Sequence, residues 1–342
     1  MRTLRQLAID EFTNFPLAAA VLQSDFYMDD VLTGSISLRL AKEIQRELIE
    51  ILKSANMTLH KWCSNNPEFA VNVDDEYTFQ CANEVSAFGV SWKTDKDCFN
   101  FKVKLENESK ITKRQVLSTI ARIFDPLGLL GPVIAKAKIF FQRLRVLKLN
   151  WDDLLPDKEA KEWQRFFSEL PHISKLEINR CILVAEAIVI ELHEFCDAYE
   201  LAYGAVVYSK SVSQYGEVVI RLVTSKSKVS PIKQVTIPRL ELCAAVLLAK
   251  LMTRVISALK LNVNNVFFWS DSSIVLAWLK KEPCCMKRFV ANRVAVVQEM
   301  TEVRQWHHVP FKQNPADLIS RGAYPVKLQL CELRWRGPPF LL

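Results

Sequence analysis

Between residues 35 and 55 apolar side chains return at every fourth position, Leu40, Ile44, Leu48 and Leu52, with Lys, Glu and Arg between them. That period describes one face of an amphipathic helix, and Ser35 or Ser37 is placed to cap it. Ahead of it the pattern predicts a short strand approach over residues 18–26, a tight turn at Tyr27-Met28-Asp29-Asp30 and an extended Val31-Leu32. Residues 59–62, 88–92 and 98–103 have the composition of strands, the last two joined by a polar turn over 93–97. Thr112 and Gln115 have the spacing of a capping box and open a helix through Phe124, which Asp125-Pro126 and Gly131-Pro132 break. A second helix is expected over about 133–147, with Lys138 and Arg145 on one face, and then a polar, partly helical connector over 151–171.

The rhythm changes near residues 172–180, where a domain boundary is expected. Residues 187–194, 204–208 and 218–224 read as three successive strands, followed by a long helix over 239–259. A strand at 266–269, a helix at 272–280, a strand at 305–309 and a short helix at 315–321 complete the order. Strands with interleaved crossovers imply an α/β sheet covered by helices.

Charge sharpens this division. The chain has 342 residues and a formal charge of +7, with 25 basic and 25 acidic side chains in residues 1–180 against 20 and 13 in residues 181–342. The entire excess lies in the second half. Between Lys210 and Lys260 there are nine basic residues and only two acids, Glu217 and Glu241. A one-sided basic field suits a polyanion, although a merely solvated basic surface has the same composition. Half the residues are hydrophobic, which excludes a disordered chain, and only eight are Gly, which excludes a Gly-rich linker. The apolar runs 182–192 and 242–252 are each broken by a charge and shorter than a membrane span, and no signal sequence opens the chain. Nine cysteines without a C-x-x-C pair, of which only Cys284 and Cys285 are adjacent, point to reduced thiols in a cytoplasmic or nuclear, intracellular setting, without the ligand spacings of structural zinc.

Against this basic background four acids stand at element junctions: Asp197 at a strand end, Glu241 in the first turns of the long helix, Asp271 after the fourth strand and Asp317 at the last helix, spaced by 44, 30 and 46 residues. Hard cations take oxygen ligands, and a pair of them needs several shared carboxylates. The competing reading makes Asp197, Asp271 and Asp317 ordinary helix N-caps.

The order Asp, Glu, Asp, Asp on this succession of elements resembles the ribonuclease H fold. Longer strings carry a closer resemblance: Phe195-Cys196-Asp197-Ala198, Ala202-Tyr203-Gly204-Ala205-Val206-Val207-Tyr208, Thr236-Ile237-Pro238-Arg239-Leu240-Glu241-Leu242, Trp269-Ser270-Asp271-Ser272, Phe289-Val290-Ala291-Asn292-Arg293-Val294 and Asn314-Pro315-Ala316-Asp317-Leu318-Ile319-Ser320-Arg321-Gly322. They are similar to the polyprotein of BEL/Pao-type long-terminal-repeat retrotransposons, in which a ribonuclease H follows a reverse transcriptase. The region is also labelled a Pao retrotransposon peptidase, but the Asp-Thr/Ser-Gly tripeptide of retroviral-type aspartic peptidases does not occur. In the first half, Tyr27-Met28-Asp29-Asp30-Val31-Leu32 resembles the palm hairpin of reverse transcriptases, and the block from Ile120 to Pro132 matches the family's next segment.

The resemblance implies a partial reverse-transcriptase palm over 1–110, a helical thumb or connection region over 111–175, a ribonuclease H-like mixed sheet with flanking helices over 176–325, and a C-terminal tail over 326–342. It implies that Asp197, Glu241, Asp271 and Asp317 bind two Mg²⁺ ions, with Mn²⁺ as a substitute, and cleave RNA in RNA–DNA hybrids. His308, with His307 beside it, is the candidate proton carrier near the last carboxylate. Lys226, Lys228, Lys233 and Arg239 are suited to phosphate contacts. Tyr27, Asp29 and Asp30 form a polymerase remnant, and Lys61 is a candidate assistant to it. The palm strand with the polymerase's first aspartate is expected to lie outside this chain, so polymerisation would require the rest of a polyprotein. One departure is Tyr199, where the family has Ser. The alternative reading is a catalytically inactive nucleic-acid-binding remnant.

Overall fold

The Ala-rich stretch expected as a strand approach folds as a helix. In the computed structural model, which describes residues 2–35, 37–60, 62–69, 84–87, 90–103 and 110–342, α2 (Pro16–Ser24) follows α1 (Arg2–Asp10). Pro16 suits a first helical turn, Ala18-Ala19-Ala20 has high helix propensity, and the Glu47 carboxylate accepts from the otherwise unbonded amides of Leu17 and Ala18 at 2.9 and 3.1 Å. Glu47 lies on α3 (Leu38–Ser54), the helix that the four-residue period predicts, and the Ser37 side chain caps that helix. Ala18, Ala19, Leu22, Leu48 and Ile51 form the core between these helices. Strands β1 (Phe26–Tyr27) and β2 (Asp30–Val31) make a hairpin in which Tyr27 pairs with Asp30 and Met28 takes a left-handed φ of 56° at the turn. Residues 59, 60 and 62 are not in a strand. Strands β3 (Glu84–Ala87) and β4 (Val90–Lys93) pair antiparallel, and β5 (Cys98–Asn100) lies next to β4. Lys61 and Phe88 lie outside the described residues.

The chain divides into two units by its contacts, residues 1–99 and 100–342. The second opens with α4 (Lys113–Arg122), whose capping box has both of its expected bonds, then α5 (Gly131–Val146), α6 (Asp157–Glu169) and the two-residue β6 (Ile178–Asn179). Its centre is a five-stranded sheet of β7 (Ala187–Ala198), β8 (Ala202–Ser213), β9 (Val218–Val229), β10 (Asn265–Ser270) and β11 (Trp306–His308), in the spatial order β11-β10-β7-β8-β9. β7, β8 and β9 form an antiparallel meander, while β10 runs parallel to β7 and β11 parallel to β10.

Helices α7 (Ile237–Leu259), α8 (Ser273–Leu279) and α9 (Arg288–Met300) cover one face. By length and composition α7 would pass for a membrane span; here Leu240, Ala244, Leu248 and Met252 pack against Leu192, Cys196 and Val207 of the sheet. The sequence pattern does not reveal α9, whose buried Val290, Val294 and Val297 keep a helical period in residues that favour strands.

The opposite face carries α5, α10 (Asp317–Arg321) and α12 (Glu332–Arg336), with α11 (Pro325–Gln329) packed against α5 and α6. The helical region and the tail, set apart in the sequence reading, both pack in this unit with the sheet. The turn before α5 docks on β9: Ser225 N–H donates to Leu127 O at 3.2 Å, and Gln142 Nε2 donates to Ser230 O at 2.6 Å. From the tail, the buried Arg334 guanidinium donates to Gly128 O at 2.9 Å, Leu129 O at 3.2 Å and Ser225 Oγ at 2.9 Å. Phe340 lies 4.9 Å, ring to ring, from Trp269.

Candidate active site

Two neighbouring parallel strands end together, and their ends carry acids. Asp197 is the penultimate residue of β7, and Asp271 directly follows β10. The first turns of α7 bring Glu241 to the same end from one layer, and α10 brings its first residue, Asp317, from the other. None of the three aspartates is an N-cap: Ser272 caps α8, Ala316 precedes α10, and Asp197 lies within a strand.

Their electrostatics show that they form one group. Burial pushes the Asp197 carboxyl up to about 7, with the charges of Asp271 and Asp317 adding to the effect and the Ser320 hydroxyl and Arg321 opposing it. Burial also takes Asp271 up to about 6, helped by Glu241 and Asp317 and opposed by the Asn314 amide. Glu241 is raised by burial and by Asp197, against the Ser272 hydroxyl. Like charges gathered away from water disfavour joint ionisation unless a cation joins them.

Each acid is held by a side chain that the sequence pattern did not single out, Asp271 by the Asn314 amide. Ser320 Oγ donates to Asp197, Ser272 Oγ donates to Glu241, and Arg321 Nε pairs with Asp317. Asn314, 1% exposed, donates to Cys196 O at 3.1 Å and accepts from Ala316 N at 3.1 Å, tying the start of α10 to β7. All four lie inside the motif strings already quoted, next to the acids, and that adjacency was their sequence signal. Asp271 Oδ1 is buried and makes no hydrogen bond. No three of the four acids bring ligand atoms within 4.8 Å of one another.

His308 is exposed at the end of β11, in register with Ser270, while the His307 ring lies 5.1 Å from Trp269. His193 is buried against Phe267, and burial lowers it to about 4. Lys226 and Lys228 are exposed on β9 opposite Ala205 and Tyr203, hence on the α7 side of this edge strand. Lys233 follows in the exposed loop, and the Arg239 guanidinium lies 5.1 Å over the Phe289 ring at the start of α7. Tyr27, Asp29 and Asp30 are exposed on the β1–β2 hairpin of the other unit.

A mixed sheet with a three-strand meander, a long crossover helix and two further parallel strands, bearing acids at the ends of its two central parallel strands, is ribonuclease H-like. Residues 112–272 match the family model described as the Pao retrotransposon-like RNaseH-like domain. That match takes in α4, α5, Asp197, Glu241 and Asp271 and supports a Pao-type retrotransposon polyprotein region over those residues. No curated protein matches the sequence. Among solved structures the chain is similar to the N-terminal RNase H domain of a Mycobacterium tuberculosis protein, at 14% identity over 38% of this chain and 94% of that one, with a TM-score of 0.27. It is similar to an RNase H1 solved in complex with an RNA/DNA hybrid, at 18% identity over 41% and 99%, with a TM-score of 0.26. A foamy viral protease–reverse transcriptase in complex with dsDNA aligns at 12% identity over 90% of this chain and 59% of its own, with a TM-score of 0.23. Scores of this size establish no fold by themselves; the strand order and the family match do.

Proposed function

We propose that this chain is a retrotransposon-type ribonuclease H that hydrolyses the RNA strand of RNA–DNA hybrids, with two Mg²⁺ ions, replaceable by Mn²⁺, held by Asp197, Glu241, Asp271 and Asp317. The observation that carries this reading is the gathering of four hard-oxygen donors from four separate elements at the ends of β7 and β10, where burial and neighbouring carboxylates raise Asp197, Glu241 and Asp271. The buried, unbonded Asp271 Oδ1 fits the same reading, because such an oxygen is costly unless a cation or proton joins it. When bound, the ions supply an activated water and stabilise the leaving oxygen. The chain's own part is to hold the carboxylates: Ser320, Ser272 and Asn314 orient them, and Arg321 restrains Asp317. Lys226, Lys228, Lys233 and Arg239 would bind the phosphate backbone, which carries no sequence information. His308 would exchange protons with water near Asp271.

Asp271→Asn keeps the shape of the side chain and removes the charge that holds a hard cation. With a labelled hybrid in Mg²⁺, cleavage should fall at least about a thousandfold while hybrid retention stays within about twofold, since affinity rests on the basic residues. Replacing Lys226 and Lys228 by Ala should weaken retention and flatten its salt dependence at an unchanged metal requirement. Equal cleavage by wild type and Asp271→Asn would overturn the assignment. Retention without cleavage by the wild type, in Mg²⁺ and in Mn²⁺, would replace it with the reading of an inactive nucleic-acid-binding remnant.

A further inference from the structure

Away from the carboxylates, a second group of ligand-bearing side chains stands on the surface between α8 and α9. Glu282, Cys284 and Cys285 flank and form a single 3-10 turn, Pro283–Cys285, and all three are exposed. Their ligand atoms lie within 4.8 Å of one another, the one group of His, Cys, Asp and Glu among the described residues to do so. Cys284 Sγ is 3.9 Å from Cys285 Sγ and 3.6 Å from Glu282 Oε2. Metal–sulfur bonds of about 2.3 Å and metal–oxygen bonds of about 2.1 Å at a tetrahedral zinc put two sulfurs about 3.8 Å apart and a sulfur and an oxygen about 3.6 Å apart. Two separations thus match tetrahedral edges, and the third pair, Cys285 and Glu282, lies within 4.8 Å.

We propose that Glu282, Cys284 and Cys285 form a surface site for a thiophilic divalent cation of the zinc and cadmium class, with water at the fourth position. The turn is held in shape without the ion. Cys285 N–H donates to Glu282 O and Met286 N–H donates to Pro283 O, both at 3.1 Å. Gln298 Nε2 on α9 donates to Leu279 O at 3.0 Å and to Lys281 O at 2.9 Å, clamping the approach. Met286, just after the turn, packs into the core under α7. Little ordering remains to be done on binding, which favours affinity. Two thiolates and a carboxylate around a divalent ion leave a net negative complex, and the exposed Lys280, Lys281, Lys287 and Arg288 on either side favour that charge. This is a hard-soft division of labour within one domain: oxygen donors at the strand ends, sulfur donors on the far turn. The site differs from structural zinc in having three ligands from four consecutive residues, which the usual paired spacings do not describe.

The test uses the full chain, reduced with a phosphine and held in excess Mg²⁺ so that the carboxylates are not free to take up the probe. Cd²⁺ is titrated while the ultraviolet thiolate-to-cadmium band is followed, and Zn²⁺ is titrated in competition with a chromophoric chelator. One ion per chain should bind with a thiolate band. Cys284→Ser and Cys285→Ser should each weaken binding by about a hundredfold or more, and Glu282→Gln by about tenfold with the thiolate band retained. Cys181→Ser, which removes another exposed cysteine, should change nothing. Absence of saturable binding, or binding that survives both cysteine substitutions, would overturn the site; an unchanged affinity in Glu282→Gln would overturn the role of the carboxylate. Neither result bears on hybrid cleavage.

Discussion

Glu194 shows what one side chain does to this sheet. It is 0% exposed on β7, its neighbours Val207 and Phe268 across the ladder belong to the core under α7, and neither carboxyl oxygen makes a hydrogen bond. Burial raises its pKa well above the ordinary value, so the folded chain carries it protonated where the unfolded chain has lost the proton. The stability it removes is therefore small below the ordinary glutamate range and grows as pH rises above it. Glu194→Met should stabilise the protein by about 1–3 kcal/mol at neutral pH, less in acid, as read by urea unfolding at several pH values; destabilisation would show that the carboxyl has a partner in solution. Asp197 and Asp271 follow the same sign. Held up to about 7 and about 6, they keep protons in the folded state that the unfolded chain releases near pH 4, so stability falls as pH rises toward neutrality. Mg²⁺ should offset that loss, raising Tm more at about pH 7.5 than at about pH 5, and a Tm insensitive to the ion at both would count against the carboxylate site.

At the scale of elements, the position of α10 depends on a missing side chain. Gly204 pairs with Asp197 across the β7–β8 ladder, and a Cβ there would collide with the buried Ile319 of α10. Gly204→Ala should push α10 outward, cost about 1–3 kcal/mol of stability and lower cleavage by misplacing Asp317 and Ser320. Adding Ile319→Ala should recover cleavage more than stability, since it restores clearance and leaves a smaller core; failure of that rescue would mean the two elements are not coupled in this way. These junctions also mark what was legible in the sequence. The meander, α7, β10 and the acids at their ends were readable because strands and helices there keep clean periods and polar residues interrupt them at the ends. α2 was not, because an Ala-rich apolar run has no period to read and its capping Glu47 lies 29 residues away from Ala18. α9 was hidden by its valines, and the strands ran longer than expected because Lys226 and Lys228 on an exposed edge look like a loop. Ser320, Ser272 and Asn314 were in plain view, but their roles arise only from partners distant in sequence.

Across the whole second unit, one residue joins parts that the sequence keeps far apart. Arg334 reaches the turn before α5 and the strand β9 at once, with Asp125 close enough to favour its charge while burial lowers its pKa. Asp125 in turn accepts from the amides of Leu129 and Leu130, both at 2.8 Å, and so shapes the turn that Arg334 grips. Gly128 at the turn has a φ of +72°, and a Cβ there would strike the Ser225 backbone. Arg334→Ala should cost about 3–5 kcal/mol, because it strands two carbonyls and a carboxylate and leaves a void. Chemical denaturation should show the loss for the unit as one transition. A change below about 1 kcal/mol would mean that water replaces the guanidinium.

The grip of Arg334 on Gly128 spans 206 residues of chain, and it has a consequence in time. A polypeptide leaves the ribosome in order, and the α5 turn, the meander and the acids all emerge long before residue 334. Until then the sheet face that Tyr208, Phe195 and Trp269 share lacks the backbone and the Phe340 ring that cover it. The ribonuclease H-like domain thus closes only once α12 and Phe340 have emerged, and a nascent chain halted before α12 should be captured by chaperones and cut by protease where the chain through Leu342 is not.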